Sequence, residues 1–292
     1  MMKTKGLDAF DLVIFDWAGT MVDFGCRAPI AALVEAFARR GVGLEEAAAR
    51  ADMGKAKADH VRALLAQPEV ARAWTKAAGA APSEDDVKSL MADLGPLMRD
   101  AAAEAAELVP GASETVAALR ASGLKIASST GYSREMMSPV LARAAEQGYA
   151  PDHLVCADET RQGRPSPLMI YKACADLGVW PLSRVVKVDD AVAGIREGRA
   201  AGCFTVGVAA SGNGIGLSHS ALGELDPSDR AARIATSAHE LTEAGADSVI
   251  DTVADLLSAL THASDHRRSV DTRHEGVTDV ASNLVVAERV EE

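Results

Sequence analysis

The chain lacks any unbroken apolar run long enough to cross a bilayer, and Met1 to Phe10 contains no apolar stretch of the kind a secretory leader carries. Cysteine is scarce. The four present, Cys26, Cys156, Cys174 and Cys203, are widely spaced and form no CxxC pair. That spacing points to reduced thiols in a cytoplasmic protein and away from a disulfide framework or a zinc site. There is no excess of positive charge either. With 42 acidic and 30 basic side chains the net charge is −12, which disfavours nucleic acid or an anionic membrane as partner. A small anionic substrate stays open, because helix N-termini and a few local cations can hold a phosphate on an acidic protein.

What is present suffices for a substantial core: 292 residues, 48% of them hydrophobic. The apolar run Leu12–Phe15, ending at Asp16, predicts a strand covered on both faces. From Pro29 to about Ala106 the pattern turns helical, with helices expected over Pro29–Arg40, Leu44–Leu65 and Glu69–Ala78. A fourth is expected after a capping box at Ser83 and Asp86. Beyond Pro110-Gly111, strands at Leu124–Ser128, His153–Cys156, Val185–Val188, Cys203–Val208 and Ser248–Ile250 alternate with helices. These are expected at Ser133–Glu146, Ser166–Leu177, Val192–Ala201 and Val253–Leu260. Alternation of this kind predicts an α/β fold with a doubly wound, mostly parallel sheet. The helical block then reads as a cap (25–106) inserted into a discontinuous core (1–24 and 107–262). The charged segment 263–292 is expected to be disordered, with a short docking helix near Ala281–Val290 as the alternative.

In such sheets ligands gather at the C-terminal strand ends. Here those ends, or the loops after them, carry Asp16, then Ser129-Thr130-Gly131, Arg164 and Asp189-Asp190. Acids can hold Mg²⁺, a hydroxyl with backbone N–H groups can hold a phosphoryl oxygen, and an arginine can neutralise the remainder. Singly, each is a turn or capping signal; their order along the chain, each at a strand end, is what carries the reading. In the helical block Met53, Lys57 and His60 stand at i, i+4 and i+7, expected on one face of one helix. Spacing alone describes equally well a solvated lysine, a surface histidine and a core methionine.

Asp16-Trp17-Ala18-Gly19-Thr20, Ser129-Thr130-Gly131, Gly163-Arg164-Pro165 and Val188-Asp189-Asp190 resemble the four motifs of the haloacid dehalogenase superfamily. Within it, Met53-Gly54 followed by Lys57-Ala58-Asp59-His60, with Thr130-Gly131-Tyr132-Ser133 and the opening run from Asp16 to Cys26, resembles the phosphonoacetaldehyde hydrolase family. The resemblance implies a nucleophilic Asp16, with Mg²⁺ held by Asp16, the Ala18 carbonyl and Asp190. It further implies phosphoryl binding by Thr130, Gly131 and Arg164, an imine on Lys57, proton transfer by His60, and substrate contacts from Met53 and Cys26. A homodimer through the cap is implied as well. Ala18 stands where ester phosphatases and phosphomutases of the superfamily carry an acid for the leaving alkoxide, which counts against both readings. A catalytically silent binding protein on the same fold would predict erosion of Asp16, Lys57, Thr130, Arg164 and Asp190, yet all five are present. One departure concerns the metal site: some relatives have a further acid four residues after the metal aspartate, where this chain has Gly194, with Asp189 next door to Asp190.

Overall fold

The first strand is apolar at every position because it is covered on both faces. In β1 (Leu12–Phe15) the side chains alternate: Val13 and Phe15 enter one core layer, Leu12 and Ile14 the other. A computed structural model describes residues 7–266, so most of the expected tail and the helix near Ala281–Val290 lie outside the described residues. β2 (Lys125–Thr130), β3 (His153–Cys156), β4 (Val185–Asp189), β5 (Phe204–Val208) and β6 (Ser248–Ile250) complete a sheet ordered β3-β2-β1-β4-β5-β6. Every pairing in it is parallel. The order reverses beside β1, the point at which a doubly wound sheet opens a crevice at its carboxyl edge.

Six helices lie between β1 and β2, and the first five make up the helical block: α1 (Ala28–Ala38), α2 (Glu46–Arg50), α3 (Lys57–Ala66), α4 (Pro68–Ala78) and α5 (Glu84–Glu104). The Ser83 hydroxyl accepts the Asp86 N–H while the Asp86 carboxylate accepts the Ser83 N–H, so the expected capping box starts α5. α5 packs on α1 and α3, and also on α7 (Arg134–Glu146). Leu33, Leu90 and Met98 therefore belong to the same apolar cluster as Phe15 and Val188 of the sheet. The two crossings into and out of this block run side by side. Val22 bridges Leu108, and the Val109 N–H donates to the Met21 carbonyl at 2.8 Å.

The expected single helix over Leu44–Leu65 is two, α2 and α3, separated by the turn 51–56. Gly54 is the physical reason: its φ of +88° leaves the helical region, as glycine permits at little cost. After β2 come α7 to α12 in turn. α6 (Ala112–Ala121) precedes that strand, and α8 (Leu168–Leu177) ends at Gly178 as expected. α9 (Val192–Ala201) follows β4. The sequence reading contained no α10 (His219–Glu224) or α11 (Pro227–Glu243), although Asp226 capping with Pro227 at the first turn is a helix-start signal for α11. α12, over 256–266, runs past the expected core boundary at 262.

Candidate active site

Parallel register brings the ends of three strands together. Phe15 pairs with Ser128 on one side and Val188 on the other, and the Asp16 N–H donates to the Val188 carbonyl at 3.0 Å. Asp16, Thr130 and Asp190, up to 174 residues apart in sequence, are thus set on one edge. Asp190 is held by the Thr20 hydroxyl (3.2 Å) and the Asn213 N–H (2.7 Å).

Carboxylate oxygens of Asp16, Asp189 and Asp190 all lie within 4.8 Å of one another, and all three side chains are buried. Burial pushes Asp16 up to about 6; Arg164 opposes that rise and Asp189 adds to it. Burial likewise pushes Asp190 well above the usual carboxylate range, helped by the charges of Asp16 and Asp189. Oxygen donors crowded in this way favour protons or a hard cation, so the triad fits a metal ion.

Arg164 is fixed along its whole guanidinium. Its Nε donates to Glu197 (2.9 Å), Nη1 to Asp16 (2.7 Å), and Nη2 to the carbonyl (2.7 Å) and hydroxyl (3.0 Å) of Ser129. Lys187 joins the network, with Nζ 2.9 Å from Asp189 and 2.9 Å from the Ser129 hydroxyl. The surrounding acids hold Arg164 firmly charged against the cost of burial. Sequence reasoning missed Lys187 and Glu197 as parts of the site, and named Ser129 only within the run Ser129-Thr130-Gly131. A signal existed: a lysine inside the otherwise apolar run Val185–Val188 sits two residues before Asp189, so both point to one face.

The helical side contributes Lys57, which begins α3 and is 4% exposed. Its Nζ lies 3.7 Å from Met53 Sδ and 5.3 Å from the centre of the Tyr132 ring. Burial lowers it to about 8, with Arg164 acting in the same direction, while Cys26 and Asp16 act against. The expected single helix face for Met53, Lys57 and His60 is corrected here: Met53 lies in the turn before α3, and only Lys57 and His60 share the helix. Met53 still reaches the lysine, because the turn at Gly54 folds it back. His60 is fully buried; its Nε2 donates to the Ala49 carbonyl at 2.8 Å, and Nδ1 has no protein partner. Burial and the Lys57 charge depress it to about 3, so the ring is neutral.

A small cavity joins the two sides. Asp16, Ala18, Cys26, Met53, Lys57, Thr130, Gly131, Arg164 and Asp190 all line it, and His60 does not. Tyr132 is a further wall that sequence reasoning did not assign. Gly131 is a glycine for a reason of space: a Cβ there would sit 2.5 Å from the Lys55 carbonyl oxygen, where the turn 51–56 closes on the end of β2. Burial pushes the Cys26 thiol well up, so it is neutral.

Residues 10–202 match the family model of haloacid dehalogenase-like hydrolases. The chain is 45% identical over 239 residues to the phosphonoacetaldehyde hydrolase of Syntrophobacter fumaroxidans, covering 82% of this chain and 86% of that protein. It is 41% identical over 250 residues to the phosphonoacetaldehyde hydrolase of Bacillus cereus (strain ZK / E33L), covering 86% and 95%. Among solved structures, a phosphonoacetaldehyde hydrolase-like protein from Oleispira antarctica superposes with a TM-score of 0.87 at 37% identity, over 91% of this chain and 97% of that one. A β-phosphoglucomutase-like structure from Bacteroides vulgatus, 18% identical with a TM-score of 0.62, shares the fold alone. The chain belongs to the haloacid dehalogenase-like hydrolases and, among them, to the phosphonoacetaldehyde hydrolase family.

Proposed function

We propose that the chain hydrolyses the C–P bond of phosphonoacetaldehyde to acetaldehyde and phosphate. The observation that carries this reading is the pairing of a desolvated Lys57 and a buried Asp16 on opposite walls of one cavity, with Ala18 lining it where an acid would serve an ester. A lysine at about 8 is neutral in about one molecule in ten at pH 7. At the reference value of roughly 10.4 the fraction is about one in 2,500.

Neutral Lys57 adds to the aldehyde carbon, and loss of water leaves a protonated imine. Arg164, Thr130 and the backbone at Gly131 hold the phosphonate oxygens, and Asp16 attacks phosphorus. The C–P bond breaks, its electron pair moving to the imine nitrogen as an enamine, while the phosphoryl group becomes an aspartyl phosphate. Water then attacks that phosphorus, releasing phosphate and restoring Asp16. The enamine takes a proton at carbon, and hydrolysis of the resulting imine releases acetaldehyde and restores Lys57. No alkoxide leaves, so Ala18 costs the reaction nothing. His60, neutral with its Nε2 committed to Ala49, would relay protons through the unpartnered Nδ1. Cys26 and Met53 would pack the aldehyde end beside Lys57.

Mg²⁺, held by Asp16, Asp190 and the Ala18 carbonyl, would neutralise charge building up on the phosphoryl oxygens. The helical block 25–106 would act as a cap on the core 1–24 and 107–262, opening about the paired crossings near Val22 and Leu108. A homodimer through the cap and a cytoplasmic location complete the reading. No helix among the described residues is long and apolar enough to cross a membrane.

Borohydride added to a mixture of enzyme and phosphonoacetaldehyde should leave a reduced two-carbon adduct on Lys57, located by mass spectrometry. Active protein that yields no adduct there would sink the imine mechanism.

A further inference from the structure

Asp189 takes no part in the steps above, yet it is wholly buried at the site. Both its oxygens are engaged. Oδ1 accepts the Ala191 N–H at 3.0 Å, while Oδ2 lies 2.9 Å from Lys187 Nζ and 3.3 Å from Arg164 Nη1. A carboxylate so placed holds the two cations of the site.

Its room comes from α9. A Cβ on Gly194 would lie 1.9 Å from Asp189 Oδ2, 2.0 Å from its Cγ and 2.3 Å from Oδ1. Those distances are far inside van der Waals contact, so the two side chains exclude each other. Gly194 lies in the first turn of α9, and its φ is not in the left-handed region, so the backbone there does not call for glycine. Space for Asp189 accounts for it.

The consequence falls on Arg164. Nε is anchored by Glu197 and Nη2 by Ser129, but Nη1 is shared between Asp16 and Asp189 alone. Attack on phosphorus uses an oxygen of Asp16, and as an acyl phosphate the Asp16 carboxyl group no longer carries the negative charge that faces Nη1. Asp189 is then the one fixed counter-charge at Nη1 among the described residues.

We propose that Asp189 is a positioning residue for Arg164 and that Gly194 is the space in α9 that admits its carboxylate. The proposal rests on reading Arg164 as the phosphoryl-binding cation. Its test uses inorganic phosphate, titrated calorimetrically into the full chain with saturating Mg²⁺, so turnover is not needed. Asp189→Asn keeps the shape and removes the charge; it should weaken phosphate binding about tenfold with Arg164 present, and less than about twofold in an Arg164→Ala background. An equal change in both backgrounds, no change, or tighter binding overturns the proposal, since a through-space effect of the charge would act without Arg164.

Gly194→Ala should reproduce the loss, and a folded Gly194→Ala that binds phosphate as the parent does overturns the second half. Should that variant fail to fold, the double variant Asp189→Gly/Gly194→Asp decides. It returns a carboxylate to the same volume from the helix side and should restore phosphate affinity to within about threefold; a folded double variant that remains as weak as Asp189→Asn overturns it. Failure to turn over phosphonoacetaldehyde would count against the proposed function and leave this coupling standing.

Discussion

The two walls of the cavity treat charge in opposite ways. On the core side, Asp16, Asp189, Glu197, Arg164 and Lys187 are buried and locked to one another by ion pairs of 2.7–3.5 Å. On the helical side, Lys57 is equally buried but makes no ion pair among the described residues; its near neighbours are a methionine sulfur and an aromatic ring. Pairing fixes charge and geometry, whereas desolvation without pairing destabilises the charged form. On the proposed reading, the core wall presents fixed charges to a phosphoryl group, and the helical wall eases the loss of a proton from an amine. One chain supplies both environments because the two walls come from different segments, the strand ends on one side and the turn 51–56 with α3 on the other.

The sharpest break in this comparison is on the core side. Asp16→Asn removes the nucleophile and should lower kcat by at least about 10⁴-fold, measured as phosphate release under saturating substrate. Lys57→Arg keeps a charge at the helical wall but forms no imine. Its kcat/KM should fall about 10³-fold while the affinity for inorganic phosphate stays within about twofold. A large loss of phosphate affinity would show that the walls are not separate in function.

The pH profile sharpens the same contrast. Only neutral Lys57 adds to the aldehyde, and its depressed value of about 8 sets the acid limb. kcat/KM should rise about tenfold per pH unit up to pH ~8 and level off above it. A limb placed near 10 would show an unperturbed amine. Stability should respond with the opposite dependence on pairing. Between about 8 and the reference value of roughly 10.4 the unfolded chain binds more protons at this position than the folded one, so stability rises with pH across that window. Below it the buried charge is a constant cost. Lys57→Met, which removes that charge at similar volume, should therefore raise the unfolding free energy by roughly 1–3 kcal/mol at pH 7, read from denaturant melts.

Much of the fold was legible because its signals are local. Apolar runs ending at Asp16 and Asp190 marked β1 and β4, Ser83 with Asp86 marked the start of α5, and Gly178 marked the end of α8. The helix over Leu44–Leu65 was misjudged because apolar spacing continues through the turn at Gly54, whose positive φ is a matter of tertiary closure against β2. α11 went unread for the opposite reason: its start signal at Asp226-Pro227 is clear, but its apolar face is small-residue rich and weak.

What the sequence by itself determined is a set of candidate reacting groups and their order: Asp16, Thr130 and Asp190 at strand ends, Arg164 in the loop after β3, and Lys57 in the helical block. What only the tertiary structure decided is their protonation and their partners. Lys187 and Ser129 come together through the strands, Glu197 comes to Arg164 through the packing of α9 on β4, and Tyr132 comes beneath Lys57 through closure of the turn 51–56 onto β2. The pairing of Asp189 with the empty side of Gly194 belongs to the same class. The physical reason is range. Strand and helix signals act over a few residues, whereas desolvation and ion pairing depend on which distant segments exclude water from a given atom.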